Sequence, residues 1–339
     1  VLIVYEWNAW WQFKLVRAIP EAFRLSAQPG ENAEELLTRC PSTAVAFVFH
    51  LNSTFSGEFP HARQQLFDAL VARGVVPINA AVHDISKRWV QAHCAACGLP
   101  DAAASRQGDP DERLFVKTNH NYGGLSERLL SPALLAELRI PRPSDVVTDP
   151  LGYRLVRRGD IPVGWWSDSG LAIERYIENR SNRIYRVGFA GKRFHVFRLV
   201  NTNVVKKVDT ASESVDIFCS REQLARGAVA GVEPEVGAAA VRFIESAHLD
   251  FGSLDVTTDD AGRPYVLDAN VTPDGTSNSL RQLIDTRRGL LELIAERSPH
   301  VSRSLRKLGR GVWPTAPMLR AEIKRLTIRR KLRTLLRPH

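Results

Sequence analysis

Between Leu249 and Gly275 the chain reads LDFGSLDVTTDDAGRPYVLDANVTPDG, and this stretch constrains the fold more than any other. Two apolar-rich runs flank an Asp260-Ala261-Gly262 turn, the pattern of an antiparallel hairpin. Asp255 and Asp268 lie on its two strands, where the turn can set both carboxylates side by side. Asp268 and Asn270 are two apart, so on a strand they point to one face. Two carboxylates and an amide oxygen make a hard-oxygen cation site, and Mg²⁺ with a nucleotide is its natural occupant. A hairpin with solvated acids is the competing reading. Asp259 and Asp260, at the turn, are better read that way.

Residues 1–80 alternate β-branched apolar runs (VLIVY, TAVAFVFHL, GVVPIN) with helical stretches such as RQQLFDALVARG, which Gly74 ends. Strand–helix–strand order implies an open parallel α/β sheet. A helix is predicted over roughly 84–97, with Asp84 as its N-cap and Gly98 and Pro100 as its stop. LFVKTN reads as a strand and HNYGG as a glycine turn. The stretch 131–170 is loose and charged. LAIERYI and RIYRVGFAGKRFHVFRLV read as strands and a hairpin turning at Ala190-Gly191, and 221–248 reads as one helix.

Two further segments carry polar groups suited to a nucleotide. Lys117 ends a strand just before Gly123 and Gly124, and backbone N–H groups with a lysine ammonium suit polyphosphate. Glu174, Tyr176 and Ile177 sit where a strand runs into a polar linker and could edge an adenine pocket. Arg186 and Arg198, 12 apart across the hairpin, could face one anionic site. Taken singly, each of these is also compatible with a solvated or paired surface group.

In this order the pieces resemble the ATP-grasp superfamily: Lys87 at a helix start in HDISKRW, Lys117 on a strand, the glycine turn, the E-x-Y-I hinge, then Asp255, Asp268 and Asn270. The metal motif is similar to that of D-alanine–D-alanine ligase, and the hinge ERYIEN looks more like biotin carboxylase. The resemblance spans roughly 75–300. It implies an α/β fold with an ATP-grasp module, preceded by an open parallel domain. Residues 1–80 would be that N-terminal domain, 81–170 the small subdomain, 171–300 the large subdomain with the metal site, and 301–339 a basic tail.

The resemblance assigns Lys87 and Lys117 to ATP phosphates, Gly123 and Gly124 to the loop over them, and Glu174, Tyr176 and Ile177 to adenine. Asp255, Asp268 and Asn270 would hold Mg²⁺, or Mn²⁺ in its place. Asp268 stands where the family more often has Glu. Ser253 stands where D-alanine–D-alanine ligase has a phosphoryl-stabilising arginine, a role left to Arg198 or Arg186. Asp274 replaces a glycine after the proline, so the acceptor pocket should differ. The implied reaction is carboxylate activation as an acylphosphate, then attack by an amine. The partners are a small-molecule or peptide carboxylate and an amine nucleophile, and a homodimer stays open. Phosphoryl transfer to a hydroxyl and nucleotide binding without turnover remain as alternatives.

Composition narrows the rest. Of 339 residues 44% are apolar and 24% charged, the balance of a globular protein, and no apolar run approaches a membrane span. The opening VLIVYEWNAWWQF does not read as a signal peptide. It begins at Val1, which leaves open whether residues precede it. Four cysteines in a chain this long make no disulfide framework, which suggests a reducing, cytoplasmic setting. Cys94 and Cys97 form a CxxC without a second ligand pair. The net charge of +9 belongs to the tail: from Ser302 onward there are 12 Lys and Arg against one acid, leaving 34 basic and 36 acidic residues before it. The segment from Ala316 reads as a basic amphipathic helix suited to an anionic membrane surface or an acidic partner, or packed on its own domain. Nucleic acid is not an expected partner, since the tail lacks interleaved aromatics.

Overall fold

The computed structural model describes residues 2–7, 22–27, 31–50, 63–124, 127–137, 140–147, 153–205, 211–272 and 280–298. The basic tail and Asp274 lie outside them. Among the described residues no helix is long and apolar enough to cross a membrane.

The N-terminal lobe holds a parallel sheet of β1 (Leu2–Trp7), β2 (Ala22–Ala27), β3 (Ala46–Phe49) and β4 (Val76–Ile78), in the order β2-β1-β3-β4. β1, β3 and β4 read as mainly apolar runs because both faces are covered, whereas the edge strand β2 (AFRLSA) exposes Phe23 and Arg24. Ile3, Tyr5, Phe47 and Phe49 pack with Leu36 and Leu37 of α1 (Ala33–Thr38) and Leu66 and Leu70 of α2 (Arg63–Ala72). Leu2, Val4, Val48 and Ile78 pack instead on Leu290 and Ile294 near the end of the described chain. Asn79 joins this lobe to the next: its Oδ1 accepts from the Asp250 and Phe251 amides at 2.9 and 3.1 Å, and its Nδ2 donates to the Phe251 carbonyl.

Helix α3 (Lys87–Ala96) follows. Its N-cap is Ser86, whose hydroxyl accepts from the Trp89 amide, and not Asp84 as the sequence suggested. Asp84 accepts from the Ser86 amide one step earlier, which fixes the cap from outside. A small antiparallel sheet comes next, built from β5 (Arg113–Thr118), β6 (Arg154–Arg157) and β7 (Leu171–Arg175) in the order β6-β5-β7. Short helices α4 (Pro132–Glu137) and α5 (Val163–Ser167) flank β6.

The large sheet is antiparallel throughout. It comprises β8 (Arg183–Ala190), β9 (Arg193–Val200), β10 (Glu213–Ser220), β11 (Phe251–Thr258) and β12 (Pro264–Asn270), ordered β10-β9-β8-β11-β12. The predicted single helix over 221–248 is two, α6 (Arg221–Ala225) and α7 (Pro234–Ser246). Gly227 breaks it, in a left-handed conformation pressed against Pro234. The last described element, α8 (Leu280–Arg297), packs on β8 and β9.

One face of the large sheet is apolar. Tyr185, Val187, Val196, Leu254 and Val256 are buried with Val236, Ala240, Phe243 and Ile244 of α7 and Val90 of α3. Burying a large apolar side chain is worth about 1.5–3 kcal/mol, so this layer anchors the sheet. The residues between them in sequence point the other way, and they form the site.

Candidate active site

Strand register places one charged row across the open face. Asp268 of β12 lies opposite Asp255 of β11, Asp255 opposite Arg186 of β8, Arg186 opposite Phe197 of β9, and Phe197 opposite Asp216 of β10. Directly opposed residues in an antiparallel ladder share a face. Between β11 and β12 the register shifts by one: Asp255 pairs with Asp268, but Val256 pairs with Val266. The extra residue, Leu267, is a bulge, and it lets Val266 enter the core while Asp268 faces the site.

Arg186 grips Asp255 bidentately, Nε to Oδ1 at 2.7 Å and Nη2 to Oδ2 at 2.9 Å. The Asp255 charge holds the guanidinium protonated. Lys87, the first residue of α3 and only 3% exposed, reaches Asp268: Nζ stands 3.5 Å from Oδ2. It is aimed there because Gln91 of the same helix donates to the Val266 carbonyl on β12 at 3.2 Å. The other oxygen, Asp268 Oδ1, is buried and has no hydrogen-bond partner. Asn270 Oδ1 accepts from the Thr272 amide at 2.7 Å and its hydroxyl at 3.0 Å.

On the small sheet Lys117 is buried and pairs with Glu174, which is 2% exposed. The Glu174 carboxylate is therefore turned to Lys117, and not toward a base as expected; its Oε1 is buried without a partner. Lys117 Nζ also stands 5.5 Å from the ring centroid of Tyr153. Burial pushes the Tyr153 phenol up to about 12; Lys117 opposes this, while Asp268, Asp255 and Glu174 add to it. Tyr153 thus feels the charges of both sheets and marks where they converge. It lies in the patternless stretch before β6, and no sequence signal pointed to it.

Gly123 and Gly124 both adopt positive φ, +72° and +70°. A side chain on Gly124 would come within 2.7 Å of Pro143, so packing alone demands glycine there. His120, in the same turn, is buried with Nε2 2.8 Å from the Pro141 carbonyl, and burial lowers its pKa to about 4. At the hinge the Tyr176 ring packs on Phe115 at 5.4 Å, under the Arg113 guanidinium. The Tyr176 amide is taken by the Arg113 carbonyl, whereas Ile177 makes no hydrogen bond among the described residues.

Arg198 is not part of this site. It lies opposite Tyr185, on the core face, and donates to the Gly231 carbonyl at 3.0 Å. The expectation that Arg186 and Arg198 face one anion fails on strand parity. The sequence reading also missed His195. It is 7% exposed, on the site face of β9, with Nε2 2.7 Å from Asp216 Oδ1. The four cysteines are free; Cys94 is buried and Cys97 half-buried. No group of three or more His, Cys, Asp or Glu arranged to hold a metal occurs among the described residues. Asp255 and Asp268 are two acids, with the Asn270 amide beside them.

No protein-family model matches the chain, and no curated protein matches it. It aligns over most of its length with solved ATP-grasp ligases. The ligase PsnB, complexed with precursor peptide PsnA2 and AMPPNP, shares 12% identity at a TM-score of 0.47, over 88% of this chain and 98% of that one. The D-cycloserine synthetase DcsG shares 15% at 0.46, over 87% and 100%. A RiPP-associated ATP-grasp ligase from Chryseobacterium gregarium, in complex with ADP and a leader and core peptide, shares 10% at 0.47, over 88% and 97%.

Proposed function

We propose that this chain is an ATP-grasp ligase that uses ATP and Mg²⁺ to activate a carboxylate as an acylphosphate and joins it to an amine. The observation that carries the reading is the row of Asp268, Asp255 and Arg186 beneath Lys87, with a buried Asp268 oxygen left without a partner. A buried anionic oxygen is costly unless something pairs with it.

Mg²⁺ fits that oxygen. Asp268 Oδ1 would be the open ligand. Asp255, gripped by Arg186, and Asn270, by giving up one of the two hydrogen bonds its Oδ1 accepts from Thr272, would supply further oxygens, all hard donors. Mg²⁺ bound there would neutralise charge on the β- and γ-phosphates, and Mn²⁺ would serve in its place. Lys87 and Lys117 hold phosphates. Glu174 positions Lys117, which revises its assignment to adenine. Tyr176 and Ile177 edge the base, with the unpaired Ile177 backbone able to read it. Gly123 and Gly124 form the turn beside the phosphates. Arg186 stabilises the transferring phosphoryl group.

The substrate carboxylate is ionised at neutral pH, so its oxygen attacks the γ-phosphorus without a base. ADP departs with the bonding pair, and the acylphosphate remains. Lys87, Lys117 and Arg186 act by position and charge, as phosphoryl transfer requires. Four unbridged cysteines suit a reducing, cytoplasmic setting.

The test is a screen of amino acids, peptides and sugar acids with Mg–ATP and hydroxylamine. ADP and a hydroxamate should accumulate together, and Lys117→Ala should suppress both. AMP as the product overturns the reading. Phosphate found on a hydroxyl replaces the ligase with a kinase.

A further inference from the structure

We infer that His195 takes the proton from the incoming nucleophile in the second half of the ligation, with Asp216 positioning it. The inference rests on the ligase reading and adds the base that reading lacks.

His195 Nε2 is engaged by the Asp216 carboxylate at 2.7 Å. An ionised carboxylate only accepts, so Nε2 carries the ring proton and Nδ1 holds the lone pair. Among the described residues Nδ1 has no hydrogen-bond partner. It lies beside Gly188 of β8, where a Cβ would touch the His195 carbonyl at 3.6 Å, Nδ1 at 3.9 Å and Gln282 Nε2 of α8 at 4.0 Å. The ring is held by Phe218 at 4.7 Å and Phe197 at 6.4 Å. Around it stand Asp216 from β10 and Asp285 and Arg281 from α8, while burial favours the neutral ring.

Its place relative to the charged row follows from register. Gly188 pairs with His195 on one side and Ser253 on the other. His195 is therefore two strands from β11, about 10 Å, and two residues along from the row of Asp255, about 7 Å. A substrate acyl group attached to the γ-phosphoryl site would bridge that interval. A purely structural pair tying β9 to β10 does not need the second ring nitrogen left without a hydrogen-bond partner among the described residues.

In the step itself the amine nitrogen bonds to the acyl carbon. The bond from that carbon to the phosphate oxygen breaks, and phosphate leaves with the electron pair. The nitrogen's proton passes to Nδ1 and then to solvent. Asp216 stabilises the transient imidazolium.

Hydroxylamine, unprotonated at neutral pH, serves as a nucleophile that needs no base. The full chain is assayed with Mg–ATP and the proteinogenic amino acids, which carry both a carboxylate and an amine, with and without hydroxylamine. His195→Gln should slow peptide-bond formation about 10²–10⁴-fold, as loss of a general base does. Hydroxamate formation should stay within a few-fold of wild type. Raising the pH should restore part of the amine reaction, and Asp216→Asn should show the same split more weakly. Equal loss in both reactions, or in neither, overturns the assignment. A wild type that forms no ADP in either condition, with peptides and sugar acids added to the amino acids, sinks the ligase reading, and this one with it. Nitrogen NMR of labelled histidine decides without substrate: the His195 signal, identified by its loss in His195→Gln, should show a proton on Nε2 alone. A proton on Nδ1 overturns the proposal.

Discussion

The two faces of the large sheet are made from alternate residues of the same strands, and they do opposite things. Tyr185, Val187, Val196, Leu254 and Val256 vanish into a core with α7. Arg186, Asp255 and Asp268 stand on the other side in ion pairs, His195 is hydrogen-bonded to Asp216, and an oxygen of Asp268 is left over. The first face is complete, closed by α7, while the second is covered by α8 at its Ala190 end and, among the described residues, leaves that Asp268 oxygen without a partner. Stability and chemistry are thereby separated by the parity of a residue's position, which single substitutions can test.

The largest effect should come from the complete face. Phe243 of α7 is fully buried, edge-on to His93 at 5.0 Å and Trp89 at 6.2 Å. Phe243→Ala should cost about 3–5 kcal/mol, the transfer of the ring plus the cavity it leaves. The denaturation midpoint reports it. Nucleotide affinity of the folded fraction should be unchanged; a loss of affinity matching the loss of stability would mean that the faces are coupled.

On the open face the effect moves from stability to rate. Asp268→Asn keeps the shape but removes the charge on which Lys87 and the proposed metal depend. Mg²⁺-dependent ADP formation should fall about 10²–10³-fold, while metal-free nucleotide still binds. Arg198→Ala, one residue out of phase with the site face, loses a single hydrogen bond to Gly231 and should turn over like wild type. Equal losses in the two variants would break the parity argument.

Much of this was legible in the sequence, for definite reasons. The hairpin around Gly262 showed through because its alternation and its turn agree. The opposite orientation of Arg198 was legible as well: any two-residue turn in that hairpin pairs Arg186 with an odd-numbered position, and Arg198 cannot be one. The bulge at Leu267 was not, because one extra residue leaves no mark on a local pattern. The pairing of His195 with Asp216 depends on how β10 returns to β9 after a long connection, and that is a tertiary fact. Strand β10 itself, ESVDIFCS, alternates Val215, Ile217 and Cys219, but charged residues at its start hide the run.

The smallest effect should lie at the far end of the hairpin. Asp259 was expected to be a solvated turn acid, yet it organises the turn. Its Oδ1 accepts from the Ala261 amide at 3.0 Å and the Arg263 amide at 2.8 Å, and its Oδ2 accepts from Arg263 Nε at 2.7 Å. Burial alone would raise its pKa, but the hydrogen bonds and charge of Arg263 outweigh it and leave the value below the ordinary 3.8. A carboxylate with a depressed folded pKa contributes stability that is fully present above the unfolded value and disappears as pH falls through the folded one. The hairpin should therefore lose this contribution only below about pH 3.8, and the loss should be absent from Asp259→Asn. Asn keeps an oxygen for the two amides and gives up the ion pair to the exposed Arg263 and a long hydrogen bond from the Tyr265 hydroxyl, so the cost at neutral pH should be about 1 kcal/mol. Turnover should match wild type, because the turn lies nine positions from Asp268 at the opposite end of β12. If Asp259→Asn slows ADP formation as much as Asp268→Asn, the metal sits at the turn, and the charged row has been assigned the wrong role.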